Sequence, residues 1–212
     1  MTAATHASVM LTVKNNGLTS SSNVKINGSN SRMGHFDLEI DGDQAYAYCT
    51  DLGQTIGKGT HTFNVVDMED FDANPNACQI QGLVGLFEII GNSWDLLTLQ
   101  SDTVQDLIVP VSMTQQTVTE AAAVQLMVWE LTHDYNGTDL SSIDVTSGDH
   151  VFTGSGVTST VLNRFDELKT ALYANGHVCH PGSGVSTVPS PAAVFAGLGL
   201  LGSTILRRNR KV

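Results

Sequence analysis

The sequence predicts an α+β fold: a sandwich- or barrel-like sheet region, an inserted helical subdomain and a single hydrophobic helix at the C-terminal end. Three observations predict it. Residues 1–66 contain short runs of alternating polar and apolar side chains, separated by Asn-Gly and Asp-Gly pairs that are typical of turns. From about residue 82 to 135, apolar side chains recur at spacings compatible with helix. Residues 192–206 carry no charge and are followed by a basic end.

The N-terminal region divides into strands at its turn residues. We expect the first strand to end at the Asn-Asn-Gly of 15–17, because these residues favour turns. The Asn-Gly of 27–28 is a hairpin signal, and the Asp-Gly-Asp of 41–43 closes a further run. The predicted strands are residues 9–13, 24–26, 35–40, 46–49 and 60–66.

The helical region begins with residues 82–90 and 94–107, where apolar side chains have mixed spacings that favour helix. Thr117 and Glu120 then form a capping-box pattern ahead of an Ala-rich stretch, residues 121–131. The spacing on this stretch predicts one buried face, formed by Val124, Met127, Val128 and Leu131.

The last part of the body is a polar stretch followed by a helix. A short strand is predicted around residues 149–152. The final helix is predicted over residues 159–174, and the Asn-Gly of 175–176 ends it as a C-cap. The chain thus divides into a body of residues 1–180, a linker with a short motif at 181–191, and a hydrophobic helix with a basic tail at 192–212.

The charge of the chain excludes nucleic acid as an expected partner. The net charge is −11, and four of the ten cationic side chains lie in the last six residues, so the body is more acidic than the total. Binding to a phosphate backbone needs clustered Lys and Arg. The three cysteines, Cys49, Cys78 and Cys179, allow at most one disulfide and leave one thiol over.

The C-terminal segment has three ordered parts: a Val-Pro-Ser-Pro motif, an uncharged run of 15 residues and a terminal basic cluster. The residues that define the motif and the cluster are Val188, Pro189, Pro191, Arg207 and Arg208. An apolar run enters lipid, whereas cations stay on the cytoplasmic side. Each part therefore acts on a membrane, and together they predict a sorting address.

This layout resembles the PEP-CTERM sorting signal of bacterial envelope proteins, with Ser190 where that motif usually has Glu. The resemblance implies processing by an exosortase-type enzyme, insertion in the inner membrane before processing, and a final place in the cell envelope, at the surface or outside the cell. Residues 1–6 show no basic start and no apolar run follows, so we expect a secretion signal to be missing from this start.

Two further segments belong together: Tyr-Cys-Thr-Asp-Leu at 48–52 and the Ala-rich stretch that contains Gln125, Trp129 and Glu130. They resemble the two signatures of bacterial thioester domains. The resemblance implies that Cys49 supplies the sulfur of an internal thioester and that Gln125 supplies its acyl carbon, with loss of ammonia. The surroundings of the bond would be Tyr48, Asp51 and Trp129.

The thioester resemblance also implies a function without enzyme turnover and without a cofactor. The thioester would react with an amine of a surface protein or polysaccharide, and the resulting amide would give covalent adhesion. Since the resemblance assigns Cys49 to the thioester, it implies that Cys78 and Cys179 form the disulfide.

Other functions remain open from the residues alone. The chain could be a structural protein of the envelope or biofilm matrix without a reactive thioester. A hydrolase using Cys49 is disfavoured, because no histidine lies in a recognisable partner motif. The His-Val-Cys-His of 177–180 is a single cluster rather than the spaced pairs of a zinc site, and we expect no metal there. The acidic clusters at 41–43 and 67–72 lack EF-hand spacing and are expected to be solvated loops.

Overall fold

The computed structural model describes residues 9–52, 55–91 and 96–179. The sorting motif, the linker and the predicted hydrophobic helix lie outside these residues, and so do Val188, Pro189, Pro191, Arg207 and Arg208. Within the described ranges, no helix is long and apolar enough to cross a membrane.

The body is built on one antiparallel sheet of seven strands. In chain order these are β1 (Val9–Ile26), β2 (Ser29–Ile40), β3 (Asp43–Cys49), β4 (Gly59–Val65), β5 (Leu96–Gln100), β6 (Leu107–Pro110) and β7 (Phe152–Thr153). The strands are hydrogen-bonded in the order β2-β3-β6-β5-β4-β1-β7, and β1 also pairs with β2. This last pairing closes six strands into a ring, with β7 added to the far end of β1.

The first strand is longer than predicted. It does not end at residues 15–17 but continues to Ile26 through a register shift between Asn15 and Gly17. Gly17 adopts a φ of 121°, and its N–H donates to the side chain of Asn15 at 2.9 Å. The Asn15 amide in turn donates to the carbonyl of Gly57 at 2.9 Å. The turn residues therefore form a bulge whose polar groups are satisfied, so the ladder resumes beyond it.

The two tight turns are where the sequence places them. Asn27 and Gly28 join β1 to β2 with φ values of 49° and 84°. Asp41 and Gly42 join β2 to β3 with φ values of 52° and 87°. Two successive positive φ values match the right-handed twist of the flanking strands, which is why Asn-Gly and Asp-Gly are preferred there.

The prediction of helix over residues 94–107 is wrong. This part of the chain contains β5 and leads into β6, and β5 pairs with β4 on one side and β6 on the other. All four residues of β6 are buried. A short strand buried on both faces has a continuous apolar run, which periodicity does not distinguish from a helix. The sheet therefore extends beyond residue 66, and the helices are not one inserted block.

The described residues form three α-helices: α1 (Ala77–Ile89), α2 (Val118–Trp129) and α3 (Ser159–Ala174). Helix α2 packs on β1, β2 and β3, and α3 packs on α2 and α1. A five-residue π-helical turn, Glu130–Asp134, continues α2, and Met68–Asp70 and Leu140–Ser142 are short 3₁₀ turns. The prediction for α3 is confirmed, and Gly176, with a φ of 69°, follows its C-cap Asn175. The residues that α3 buries are Val161, Phe165, Leu168 and Leu172.

The capping of the helices differs in part from the prediction. A complete capping box opens α1, where Asn76 accepts from Gln79 N–H at 3.1 Å and the Gln79 side chain accepts from Asn76 N–H at 2.7 Å. At α2 the predicted box is half formed: Thr117 accepts from Glu120 N–H at 3.2 Å. The Glu120 carboxylate instead accepts two bonds from Arg164 of α3, at 2.6 and 2.8 Å. A bidentate charged pair thus joins α2 to α3 in place of the second cap bond.

The central helix α2 is buried on every side. Its residues from Ala121 to Trp129 are all buried, so the expectation of one buried face is too narrow, although Val124 and Val128 do lie in the core. Three consecutive alanines at its start reduce the bulk of the helix. They allow its backbone to approach the sheet and α3 closely. A helix of this kind is a rigid support for any side chain that it presents to a strand.

The disulfide implied by the resemblance is present. Cys78 and Cys179 are bonded, with their Cα atoms 5.6 Å apart, and they are 101 positions apart in sequence. The bond joins the first turn of α1 to the segment that follows α3.

Candidate functional site

Cys49 and Gln125 meet at the point where a strand ends against the central helix. Cys49 is the last residue of β3 and pairs with Leu107 of β6. Gln125 lies in the middle of α2. Cys49 is 4% exposed and Gln125 is 1% exposed, so both side chains are removed from solvent. A buried amide needs hydrogen-bond partners, and the end of β3 provides them.

Three polar contacts join the two residues. The backbone N–H of Cys49 donates to Gln125 Oε1 at 3.2 Å, and Gln125 Nε2 donates to the Cys49 carbonyl at 2.8 Å. The Cys49 Sγ is 3.6 Å from the same Oε1. The thiol and the carboxamide are separate groups, and no thioester bond joins them in this structure. Both the oxygen and the nitrogen of the Gln125 amide are hydrogen-bonded to the Cys49 backbone, so the amide carbonyl is held beside the sulfur.

The chain immediately after the cysteine is held by a second set of contacts. Thr50 N–H donates to the carbonyl of Asp106 at 3.1 Å, and the Thr50 carbonyl accepts from His133 Nε2 at 2.6 Å. The Asp106 carboxylate accepts from the N–H groups of Asp72 and Ser101 at 2.9 and 3.2 Å. Burial raises the pKa of this carboxyl to about 6. The exit of β3 is therefore fixed on both sides.

The π-helical turn helps to bring His133 to this position. Its N–H to C=O bond spans five residues, from Tyr135 N–H to Glu130 at 2.7 Å. In a regular α-helix eight residues turn through about 800°, roughly 80° beyond two full turns. A π-helical residue turns through a smaller angle, so Gln125 and His133 come closer to one common face. This face carries the side chains that hold Cys49 and Thr50.

The end of the π-turn is held by α1. Gln79 Nε2 donates to the carbonyls of Thr132 and Tyr135 at 3.2 and 3.0 Å, and the Tyr135 hydroxyl donates to the carbonyl of Cys179 at 3.1 Å. Gln79 follows Cys78 directly. The disulfide and the capping box of α1 thus support the same turn that positions His133. The sequence did not predict a supporting role for Gln79 or His133, because their partners are backbone carbonyls far away in the chain.

Removing the His133 contact is expected to loosen the end of β3. In His133→Phe the ring is kept but the carbonyl of Thr50, a fully buried residue, loses its side-chain donor. We expect the free energy of unfolding to fall by about 1–3 kcal/mol. His133→Gln, which keeps an N–H donor, should lose less. Chemical denaturation of the three chains measures this difference, and equal losses for Phe and Gln would contradict the role of the donor.

The environment of the sulfur favours the neutral thiol. Burial raises the pKa of the Cys49 thiol to about 12; the Trp129 side chain opposes this rise, and Asp51 adds to it. Trp129 stacks on Phe152, with ring centroids 5.6 Å apart and planes 4° from parallel. The thiol is therefore kept neutral at pH 7, and the nucleophilic thiolate is disfavoured.

The remaining predicted surroundings take different positions. Tyr48 is fully buried, and its hydroxyl bonds to the Gln116 side chain rather than to either residue of the pair. Its ring lies against Phe87 and His35. Asp51 follows the cysteine segment and acts on the pKa of the Cys49 thiol by its charge. Trp129 is thus the predicted neighbour that the structure brings to the sulfur, whereas Tyr48 supports the strand from its other face.

A buried acid lies directly after Trp129. Glu130 is fully buried, and its Oε2 accepts from Asp144 N–H at 2.8 Å. Its Oε1 has no hydrogen-bond partner among the described residues. Burial, with a further contribution from Asp134, raises the pKa of this carboxyl to about 8. Asp134 itself bonds to His150 Nδ1 at 2.9 Å. Burial therefore favours the protonated form of Glu130 at neutral pH.

No metal site is formed by the part of the chain that the structure describes. No group of three His, Cys, Asp or Glu side chains there could hold an ion. In the cluster that begins at His177, the sulfur of Cys179 is used by the disulfide, and the imidazole lies 3.5 Å from Glu88.

No protein-family model, curated protein or solved structure matches this chain. The functional interpretation therefore depends on the two short motifs and on the contacts between Cys49 and Gln125.

Proposed function

We propose that Cys49 and Gln125 form an internal thioester, and that the protein uses it to attach covalently to an amine-bearing partner at the cell surface. The observation that supports this most directly is the set of three contacts between the thiol, the carboxamide and the Cys49 backbone, at 2.8–3.6 Å. The two residues are 76 positions apart in sequence, so only the fold brings them together.

Formation of the bond follows from this geometry. The Cys49 sulfur attacks the Gln125 side-chain carbon, and the carbonyl oxygen gains negative charge. The Cys49 N–H, 3.2 Å from this oxygen, is placed to stabilise that charge. The carbon–nitrogen bond then breaks, and the leaving nitrogen takes the proton of the thiol and departs as ammonia. Proximity is the main source of rate, since an amide is a poor electrophile.

In the capture of a partner, the Cys49 sulfur is the leaving group instead of the nucleophile. An amine attacks the acyl carbon of Gln125, a carbon–nitrogen bond forms, and the carbon–sulfur bond breaks. The proton lost by the amine ends on the Cys49 sulfur. The product is a secondary amide, and each molecule reacts once. Burial of the pair keeps water from the thioester until a partner arrives.

A second candidate function is that of a structural protein of the envelope or biofilm matrix. It is favoured by the way the amide is satisfied without any covalent bond, because Gln125 both donates to and accepts from the Cys49 backbone. In that case the pair only braces β3 against α2. With either function, we propose that the C-terminal segment sorts the protein to the cell envelope.

Intact mass separates the two functions. We expect the full chain to be lighter by one ammonia than the mass calculated from its sequence with the disulfide formed. Peptide mapping should show the peptides that contain Cys49 and Gln125 joined to each other. Cys49→Ala should have no such deficit and should not add methylamine, whereas the wild-type chain should gain it at Gln125. A wild-type chain of full mass that does not react with methylamine would leave only the structural function.

A further inference from the structure

The side chain of Trp129 contains a buried hydrogen-bond donor, the indole N–H. The residue is 2% exposed, and its indole Nε1 makes no hydrogen bond to any residue that the structure describes. Native structures rarely bury a polar group in this way, and an exception calls for an explanation. The stacking of the ring on Phe152 restrains the plane of the indole, in which the N–H lies.

Trp129 lies on the same side of α2 as the reacting pair. It follows Gln125 by four residues on α2, which places the two side chains on one face of the helix. Gln125 is in contact with Cys49, and the indole N–H is the strongest influence that lowers the pKa of the Cys49 thiol. A neutral thiol is a weak acceptor, which explains the absence of a full hydrogen bond here. A thiolate is a strong one.

We propose that the Trp129 indole N–H is the catalytic donor that stabilises negative charge on the Cys49 sulfur, both when the thioester forms and when an amine opens it. This inference rests on the proposed thioester function and deepens it. In formation, the donor stabilises the sulfur as its proton is transferred toward the leaving nitrogen. In capture, it stabilises the sulfur as the carbon–sulfur bond breaks. The indole N–H keeps its own proton throughout.

A different role for Trp129 is to shield the bond from water by its bulk alone. The two roles differ in one atom, because shielding needs the ring and not its N–H. Benzothienylalanine, in which sulfur replaces the indole N–H, keeps the two fused rings and removes the donor. Trp129→Phe removes the donor and also part of the ring, so it tests both roles together.

The experiment uses the full chain with benzothienylalanine at position 129 alone, beside wild type and Trp129→Phe. Ammonia first opens the thioester, which regenerates Gln125 and the free thiol. After ammonia is removed, intact mass follows the second formation of the thioester, and methylamine then measures its opening across pH. We expect both rates to fall about ten- to hundredfold in the benzothienylalanine chain, because a hydrogen bond to a charged group is lost. Formation should also shift to higher pH.

The outcomes are distinct. Slower formation and opening in the benzothienylalanine chain, with an unfolding midpoint near that of wild type, support the donor. Wild-type rates and an unchanged pH profile in that chain overturn it, and a loss found only in Trp129→Phe then assigns Trp129 to shielding. If wild type itself shows no loss of ammonia before treatment and no reaction with methylamine, the proposed thioester function fails and this inference fails with it.

Discussion

Gln125→Glu is expected to abolish methylamine capture and to lower the free energy of unfolding at pH 7 by about 3 kcal/mol or more. The side chain of residue 125 is 1% exposed, and its Nε2 donates to the Cys49 carbonyl at 2.8 Å. A carboxylate oxygen in that place would face another oxygen in a buried site. It also offers the sulfur no ammonia to displace, so no thioester can form by the same route.

Gln81→Glu is the matched control for this substitution. Gln81 is also a helical glutamine beside a sulfur, since its Oε1 is 3.7 Å from Cys179 Sγ, but that sulfur is bonded to Cys78. Its amide donates to the carbonyl of Gly176 at 3.0 Å in an exposed contact. We expect this chain to capture methylamine like wild type, as measured by intact mass. Capture that persists in Gln125→Glu would exclude residue 125 as the acyl carbon.

Glu130→Gln is expected to stabilise the protein increasingly as pH rises. Burial raises the pKa of Glu130 from its ordinary value of 4.5 to about 8, so between these pH values the folded chain holds a proton that the unfolded chain has lost. Stability from this group is therefore lost as pH rises from about 4.5 to 8, at about 1.4 kcal/mol per pH unit. A glutamine keeps an acceptor for Asp144 N–H and has no proton to lose.

The measurement is the free energy of unfolding in denaturant at pH 4.5, 6 and 8. The two chains should be similar at pH 4.5, and the variant should be more stable by several kcal/mol, on the order of 3–5, at pH 8. Glu69→Gln is the control, because Glu69 is exposed on a 3₁₀ turn. Parallel pH dependences for wild type and Glu130→Gln would show that Glu130 is ionised in the folded protein.

Patterns in the sequence predicted the helix and the turns whose conformation depends on residues close together in the chain. The spacing of the apolar residues of α3 and the Asn-Gly after it predicted that helix, and the two tight turns follow from residues that accept positive φ. Strands β5 and β6 were missed, because they are defined by neighbours distant in sequence. The length of β1 was missed for a similar reason: Asn15 makes a bulge only when Gly57 is there to accept its amide.

The candidate site could be predicted only as a pair. The motifs singled out Cys49 and Gln125, and the structure places them in contact. The supporting contacts could not be predicted, because His133 and Gln79 donate to backbone carbonyls, which are the same in every residue type. The π-turn was also unpredictable, since nothing in Glu-Leu-Thr-His-Asp distinguishes it from one more turn of α-helix.

For a protein attached to a partner through Gln125, as proposed above, the disulfide determines which parts of the chain carry a pulling force. Cys78 and Cys179 close a loop of chain that contains Gln125, with 47 residues on one arm (125 − 78) and 54 on the other (179 − 125). A pulling force between an adduct at Gln125 and the chain beyond Cys179 is carried by both arms in parallel. The shorter arm limits the extension to about 160 Å. Strands β1 to β4, and with them Cys49, lie outside the loop and carry none of the tension through their backbone.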